Sequence, residues 1–122
     1  MTTQSNTPGK QLEGTLFSDN KTSIWLYIDS EKVTLTRSVN LDAPEGEIPE
    51  IIMLDGRLRF TDLIFALEDA LKAFDVDNRD ELYELIIRRF SLKKSLQEMA
   101  AYLKTHKVKF DKQVSDGPPY YE

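Results

Sequence analysis

The chain has 122 residues, of which 40% are hydrophobic and 30% charged, and its formal net charge is −5. These values indicate one globular domain rather than a disordered chain. The absence of cysteine excludes disulfides, thiolate catalysis and cysteine-based metal sites. No apolar run reaches the roughly 18 residues of a membrane span. Because residues 1–10 are polar and unlike a signal peptide, the expected location is cytoplasmic.

The charge is unevenly distributed along the chain. Residues 1–78 carry 14 acidic against 7 basic side chains, a net charge of −7, whereas residues 79–122 carry 7 acidic against 9 basic, a net charge of +2. This asymmetry between an acidic N-terminal part and a basic C-terminal part is compatible with binding of a charged partner, with self-association or with an ordinary solvated surface.

Alternating apolar and polar residues predict strands over residues 12–17, 23–29 and 32–39. The aliphatic face of the second and third strands is expected to meet the core. The opposite face is expected to look outward and carries Trp25, Tyr27, Thr34 and Thr36.

A proline-rich and acidic loop is predicted over residues 40–50. After it, the apolar run of residues 51–54 and the pair Asp55-Gly56 predict a hairpin that returns over residues 57–60.

Three helices are predicted in succession between Phe60 and Val108. Apolar spacings of three and four residues define the first, which Thr61 would cap. The second covers residues 79–90 with Asn78 as its cap, and the third follows with Ser91 as its cap. The predicted fold class is α+β: an antiparallel sheet of three to five strands in the N-terminal half, followed by three α-helices packed on one face. The expected division is a single domain over residues 11–108 between a disordered tail, residues 1–10, and a flexible tail, residues 109–122.

Three aromatic residues are candidate partner-binding anchors. Phe65 lies about 160° away from the apolar stripe of the predicted first helix, so an exposed contact residue and a side chain covered by a loop are both open. Trp25 and Tyr27 form a candidate aromatic platform on the outer sheet face. Cross-strand packing, or cover by a helix, is the alternative explanation for them.

A basic patch is predicted at the junction of the last two helices. Lysines in the first turn of a helix oppose its dipole, which suggests a task such as binding phosphate or an acidic protein. The alternative is a solvated flank with lysines extended beside the apolar seam. Four of its residues, Arg88, Arg89, Lys93 and Lys94, lie at the junction, and Lys104 and Lys107 continue the patch along one flank of the third helix.

Catalytic and metal-binding patterns fail on inspection. The segment from Asp75 to Asp80 opens like a calcium loop but lacks the required glycine. Ser91 and Lys94 have serine–lysine spacing without a companion motif. His106 is the only histidine, so no paired-histidine metal site exists. The expectation is therefore no enzyme, no metal and no cofactor. Residues 118–121 match a PPxY pattern, whose meaning as a recognition motif stays open.

The sequence favours a small non-enzymatic adaptor or regulatory protein that binds another protein or a second copy of itself, without a membrane. The alternative is a nucleic-acid-binding protein that uses the basic patch.

Overall fold

The computed structural model describes residues 12–19, 21–41 and 58–117. It contains a five-stranded antiparallel sheet in the order β1-β2-β3-β4-β5, with three helices between β4 and β5. The strands are β1 (Leu12–Ser18), β2 (Thr22–Ile28), β3 (Lys32–Asn40), β4 (Leu58–Ala66) and β5 (Phe110–Gly117); the helices are α1 (Leu67–Phe74), α2 (Arg79–Arg89) and α3 (Ser95–Thr105). This arrangement confirms the predicted α+β class with its antiparallel sheet and three helices.

An aspartate closes each of the first two hairpins. Asp19 Oδ1 accepts the backbone N–H groups of Lys21 and Thr22, at 2.9 and 2.7 Å. Asp29 Oδ1 likewise accepts those of Glu31 and Lys32, at 2.7 and 2.8 Å. Such turns are typical of aspartate, whose side chain satisfies N–H groups that the ladder leaves unpaired.

The core lies between one face of the sheet, called here the inner face, and the three helices. Each large apolar side chain buried there contributes roughly 1.5–3 kcal/mol. The sheet supplies Leu16, Ile24, Leu26, Ile28, Val33, Leu35, Leu63 and Phe65, and the helices supply Leu67, Ala70, Phe74, Leu82, Ile86, Leu96, Met99 and Leu103. The predicted inward orientation of the aliphatic side chains on β2 and β3 is confirmed.

Aromatic contacts and a helix cap fix the helices relative to one another. Phe74 stacks on Tyr102 with ring centroids 4.3 Å apart, and Phe90 meets both rings edge-on. The Tyr102 hydroxyl donates to the Ala73 carbonyl at 2.6 Å. Asn78 caps α2 as predicted, because its side chain accepts the N–H of Glu81.

Helix α2 is also joined to the edge of the sheet. The Tyr83 hydroxyl donates to the Glu13 carbonyl on β1 at 2.9 Å. Gly14 leaves room for that hydroxyl, since a Cβ at this position would collide with it. The close approach therefore requires glycine at position 14.

The predicted first helix begins too early. Residues 61–66 belong to β4, and helix α1 starts only at Leu67. Within β4, Thr61, Leu63 and Phe65 are buried while Asp62 and Ile64 on the other face are partly exposed. Because the strand carries apolar residues on both faces, its sequence satisfies a helical spacing as well as an alternating one.

Two further predictions are wrong. The segment after Val108 is not a flexible tail as far as Gly117, because residues 110–117 form β5 and pair with β4. Ser91 does not cap the third helix, which begins at Ser95; its hydroxyl donates to the Ile87 carbonyl instead. The predicted hairpin around Asp55-Gly56, most of the loop before it, the tail of residues 1–10 and the PPxY segment lie outside the described residues.

Within the described part of the chain, no helix is long and apolar enough to cross a membrane.

Truncation of Phe65 tests the strand assignment. The side chain is 2% exposed, so Phe65→Ala is expected to lower the free energy of unfolding by about 3–5 kcal/mol. Leu92→Ala, at a site 44% exposed, is the matched control and is expected to change it by no more than about 0.5 kcal/mol. Urea denaturation measures both. Equal effects of the two substitutions would contradict a buried Phe65.

Acid titration tests the β2–β3 turn. The hydrogen bond from the Glu31 N–H, helped by that from Lys32, outweighs burial and lowers the pKa of Asp29. The stability that this carboxylate contributes is therefore present above its unfolded-state pKa of about 3.9 and is lost as the pH falls through the lower folded value. Asp29→Asn is expected to lose stability at pH 7 relative to the native chain, and the gap is expected to narrow in acid. Urea denaturation of both proteins from pH 7 into acid measures this difference in the free energy of unfolding. A difference that does not change with pH would contradict the prediction.

Candidate functional site

The outer face of the sheet is the face opposite the helices, and it carries the two aromatic residues that the sequence singled out. Trp25 and Tyr27 alternate along β2 with the buried Ile24, Leu26 and Ile28. Because successive side chains of a strand point to opposite sides, both aromatic side chains lie on the outer face. This orientation agrees with the one predicted for them.

The strand register places apolar and polar side chains in rows across this face. One row joins Tyr27 to Thr34 and then to Ile64, and the next joins Trp25 to Thr36 and then to Asp62. Adjacent strands lie about 4.8 Å apart, so Tyr27 and Ile64 are separated by roughly 10 Å with a threonine between them. The outer face thus has a shallow centre of small hydroxyl side chains flanked by larger apolar groups.

Trp25 and Tyr27 are half-buried by their neighbours on the sheet. Among the described residues, neither ring stacks on another aromatic ring, and neither side chain makes a hydrogen bond. The described helices all pack on the inner face, so cover by one of them does not explain these residues.

Carboxylates dominate the charge of the outer face. Glu13 and Asp111 end the row that contains Tyr27, and Asp62 lies in the row of Trp25. Lys32, at one end of β3, is the basic residue on this face within the described strands. The charges that the described strands place around the aromatic residues are therefore mostly negative, which opposes the approach of nucleic-acid phosphates.

Phe65 does not belong to this surface. It lies on the inner face, opposite Val33 on one side and Phe110 on the other, and its side chain is buried. Its prediction as a partner-binding residue is wrong because it depended on a helix at a position where the chain forms a strand.

The six predicted basic residues are spread from the end of α2 along the length of α3. Lys93 and Lys94 precede α3, whereas Lys104 lies in its last turn and Lys107 beyond its end. A helix of 11 residues is about 15 Å long, so the two pairs lie near opposite ends of α3. The prediction that the lysines occupy the first turn of this helix is also wrong, since Lys94 is its N-cap residue.

Arg88, Arg89 and Lys93 each lie near acidic or aromatic side chains of the same chain. The Arg89 guanidinium lies over the rings of Phe90 and Tyr102, with centroid distances of 5.8 and 5.4 Å, a cation–π arrangement. Lys93 Nζ lies 3.8 Å from Asp19 Oδ2. Arg88 borders a shallow depression together with Asp80, Glu81 and Glu84. Structural contacts thus account for Arg89 and Lys93.

The structure adds a cationic cleft that the sequence did not indicate. It has a volume of about 420 Å³ and lies beside the start of α3, at the end of the inner face. Arg37, Arg59, Lys112 and Asp116 provide its charged groups. The only signal in the sequence was Arg37, which takes an inward position after Val33 and Leu35 in β3.

The described residues contain no group of three or more His, Asp or Glu side chains placed to hold a metal ion.

In comparisons with known proteins, no family model, curated sequence or solved structure matches this chain. The function is therefore argued from its own surfaces.

Proposed function

We propose that this chain is a small non-enzymatic adaptor or regulatory protein that binds another protein through the outer face of its sheet. The observation that carries the proposal is the placement of Trp25 and Tyr27 on a face that no described helix covers. Aromatic side chains dominate the binding energy of protein interfaces because they bury a large area and lose little conformational entropy.

The charge of the outer face specifies the chemistry of the partner. Glu13, Asp62 and Asp111 surround the aromatic residues, with Lys32 as the opposing base. A complementary surface has an apolar centre and lysine or arginine at its rim. This charge favours a basic protein surface over a nucleic acid, whose bases could stack on the aromatic rings only if its phosphates approached the carboxylates.

A cytoplasmic location is part of the proposal. A chain without cysteine forms no disulfides and so does not require an oxidising compartment, which is compatible with this location.

Substitution of Trp25 tests the proposal. Trp25→Ala is expected to weaken partner binding by about 30-fold or more, the effect of a hot-spot residue, while the melting temperature stays within a few degrees. Leu92→Ala is the control, since it removes a large apolar side chain from the surface at a position before α3, away from the outer face. Affinity capture from the native host with all three proteins, followed by Kd measurement with the purified partner, gives the comparison.

Three outcomes would count against this proposal. One is a set of captured proteins that is the same for the native chain and Trp25→Ala. Another is a large fall in melting temperature with unchanged binding, which would identify Trp25 as a packing residue. The third is a purified dimer, detected by light scattering, that Trp25→Ala converts to a monomer, because the outer face would then bind a second copy of the chain.

Substitution of Asp62 tests the role of charge. Asp62→Asn is expected to weaken partner binding and to reduce the salt dependence of that binding.

A further inference from the structure

We infer that the cationic cleft at the end of the inner face is a binding site for a small phosphorylated molecule. The cleft is bordered by β3, β4, β5 and the first turn of α3, and its volume of about 420 Å³ lies within the usual range for small-molecule sites. It lies on the opposite side of the sheet from Trp25 and Tyr27, so this site is independent of the proposed protein partner.

Arg37 is the residue that most needs an explanation. It occupies a position on the inner face of β3, a central strand, where Val33 and Leu35 precede it in the core. Its Nε is buried and has no hydrogen-bond partner among the described residues. An unpaired buried donor on a charged group is costly, and an anion that binds the Arg37 guanidinium in the cleft would offset that cost.

The remaining charges of the cleft also favour an anion. Among the described residues that line it, the three bases Arg37, Arg59 and Lys112 outnumber the one acid Asp116, so these four residues carry a charge of +2 in a chain whose net charge is −5. Asp116 accepts a hydrogen bond from Arg59 Nε at 2.8 Å. Both side chains of this pair are exposed, at 47% and 61%, so the pair is weak and can rearrange around a ligand.

Helix α3 begins beside the same cleft. Leu96 and Gln97, in its first turn, are lining residues. The first N–H groups of a helix have no acceptor within the helix, and no side chain caps α3, whose N-cap residue is Lys94. Helix N-termini bind phosphate through these N–H groups and the helix dipole. Together with a guanidinium, which matches phosphate oxygens in two-point geometry, they favour a phosphate group over other anions.

Protection of an edge strand explains only part of this arrangement. Edge strands often carry inward-pointing charges that prevent association between sheets, and this accounts for Lys112 and Asp116 on β5. It does not account for Arg37, since β3 pairs on both sides, with β2 and β4.

Titration of the full-length chain with pyrophosphate tests the site. The native protein is expected to bind pyrophosphate saturably in calorimetry, and the Arg37 Nε–H signal is expected to shift in a ¹⁵N-resolved NMR spectrum. Arg37→Gln is expected to weaken binding by about tenfold or more, as for loss of a charge-assisted hydrogen bond. Arg37→Lys, which keeps the charge but loses the two-point geometry, is expected to fall between the two.

Two further variants separate the cleft from general charge and from unfolding. Lys112→Gln, at an exposed position of the edge strand, is expected to weaken binding without affecting the fold. Lys104→Gln makes the same change in charge near the other end of α3 and is expected to leave the Kd within about twofold. Absence of saturable binding by the native chain, or an equal loss in Lys104→Gln and Lys112→Gln, would overturn the inference. Binding of a long polyanion such as DNA without binding of pyrophosphate would do the same.

Discussion

The pairing of β4 on both of its edges is the constraint on which the rest of the structure depends. This strand pairs with β3 along its whole length and with β5, which returns from the C-terminal side of three helices. The pairing places Phe65 between Val33 and Phe110 on the inner face. It also fixes where the helices begin, since α1 can start only after β4 ends at Ala66. The non-local contact between β4 and β5 therefore determines both the width of the sheet and the position of the helical layer.

A two-layer arrangement with all described helices on one side gives the two faces of the sheet different roles. Most of the inner face is buried in the core. The exception is the end where Arg37, Thr61 and Val114 lie beside the start of α3. No described helix covers the outer face, where Trp25 and Tyr27 lie among threonines and carboxylates. One surface is acidic and aromatic and the other is a basic cleft, and each favours a different class of ligand. The same fold thus supports two separate binding proposals.

The two candidate sites were not equally predictable. Trp25 and Tyr27 followed from alternation within one strand, because their orientation depends only on the local period of two residues. The cleft did not, since Arg37, Arg59, Lys112 and the start of α3 come together only through the strand register and the helix packing. The extent of the predicted basic patch has a local cause instead, the length of one helix. Its residues lie within 20 positions of each other in the sequence, and α3 holds its two lysine pairs near opposite ends.

The sequence by itself determined the α+β class, the first three strands, the core-facing side of β2 and β3, and the Asn78 cap, because each depends on local periodicity or on one side chain and its nearest backbone groups. Only the tertiary structure decided that residues 61–66 are strand and that residues 110–117 complete the sheet. An apolar run on both faces satisfies a strand and a helix equally well. A polar edge strand with Phe110 and Val114 as its apolar residues carries little signal of its own. What settles both segments is the backbone hydrogen bonding between them across more than 40 residues of chain, which no local pattern encodes.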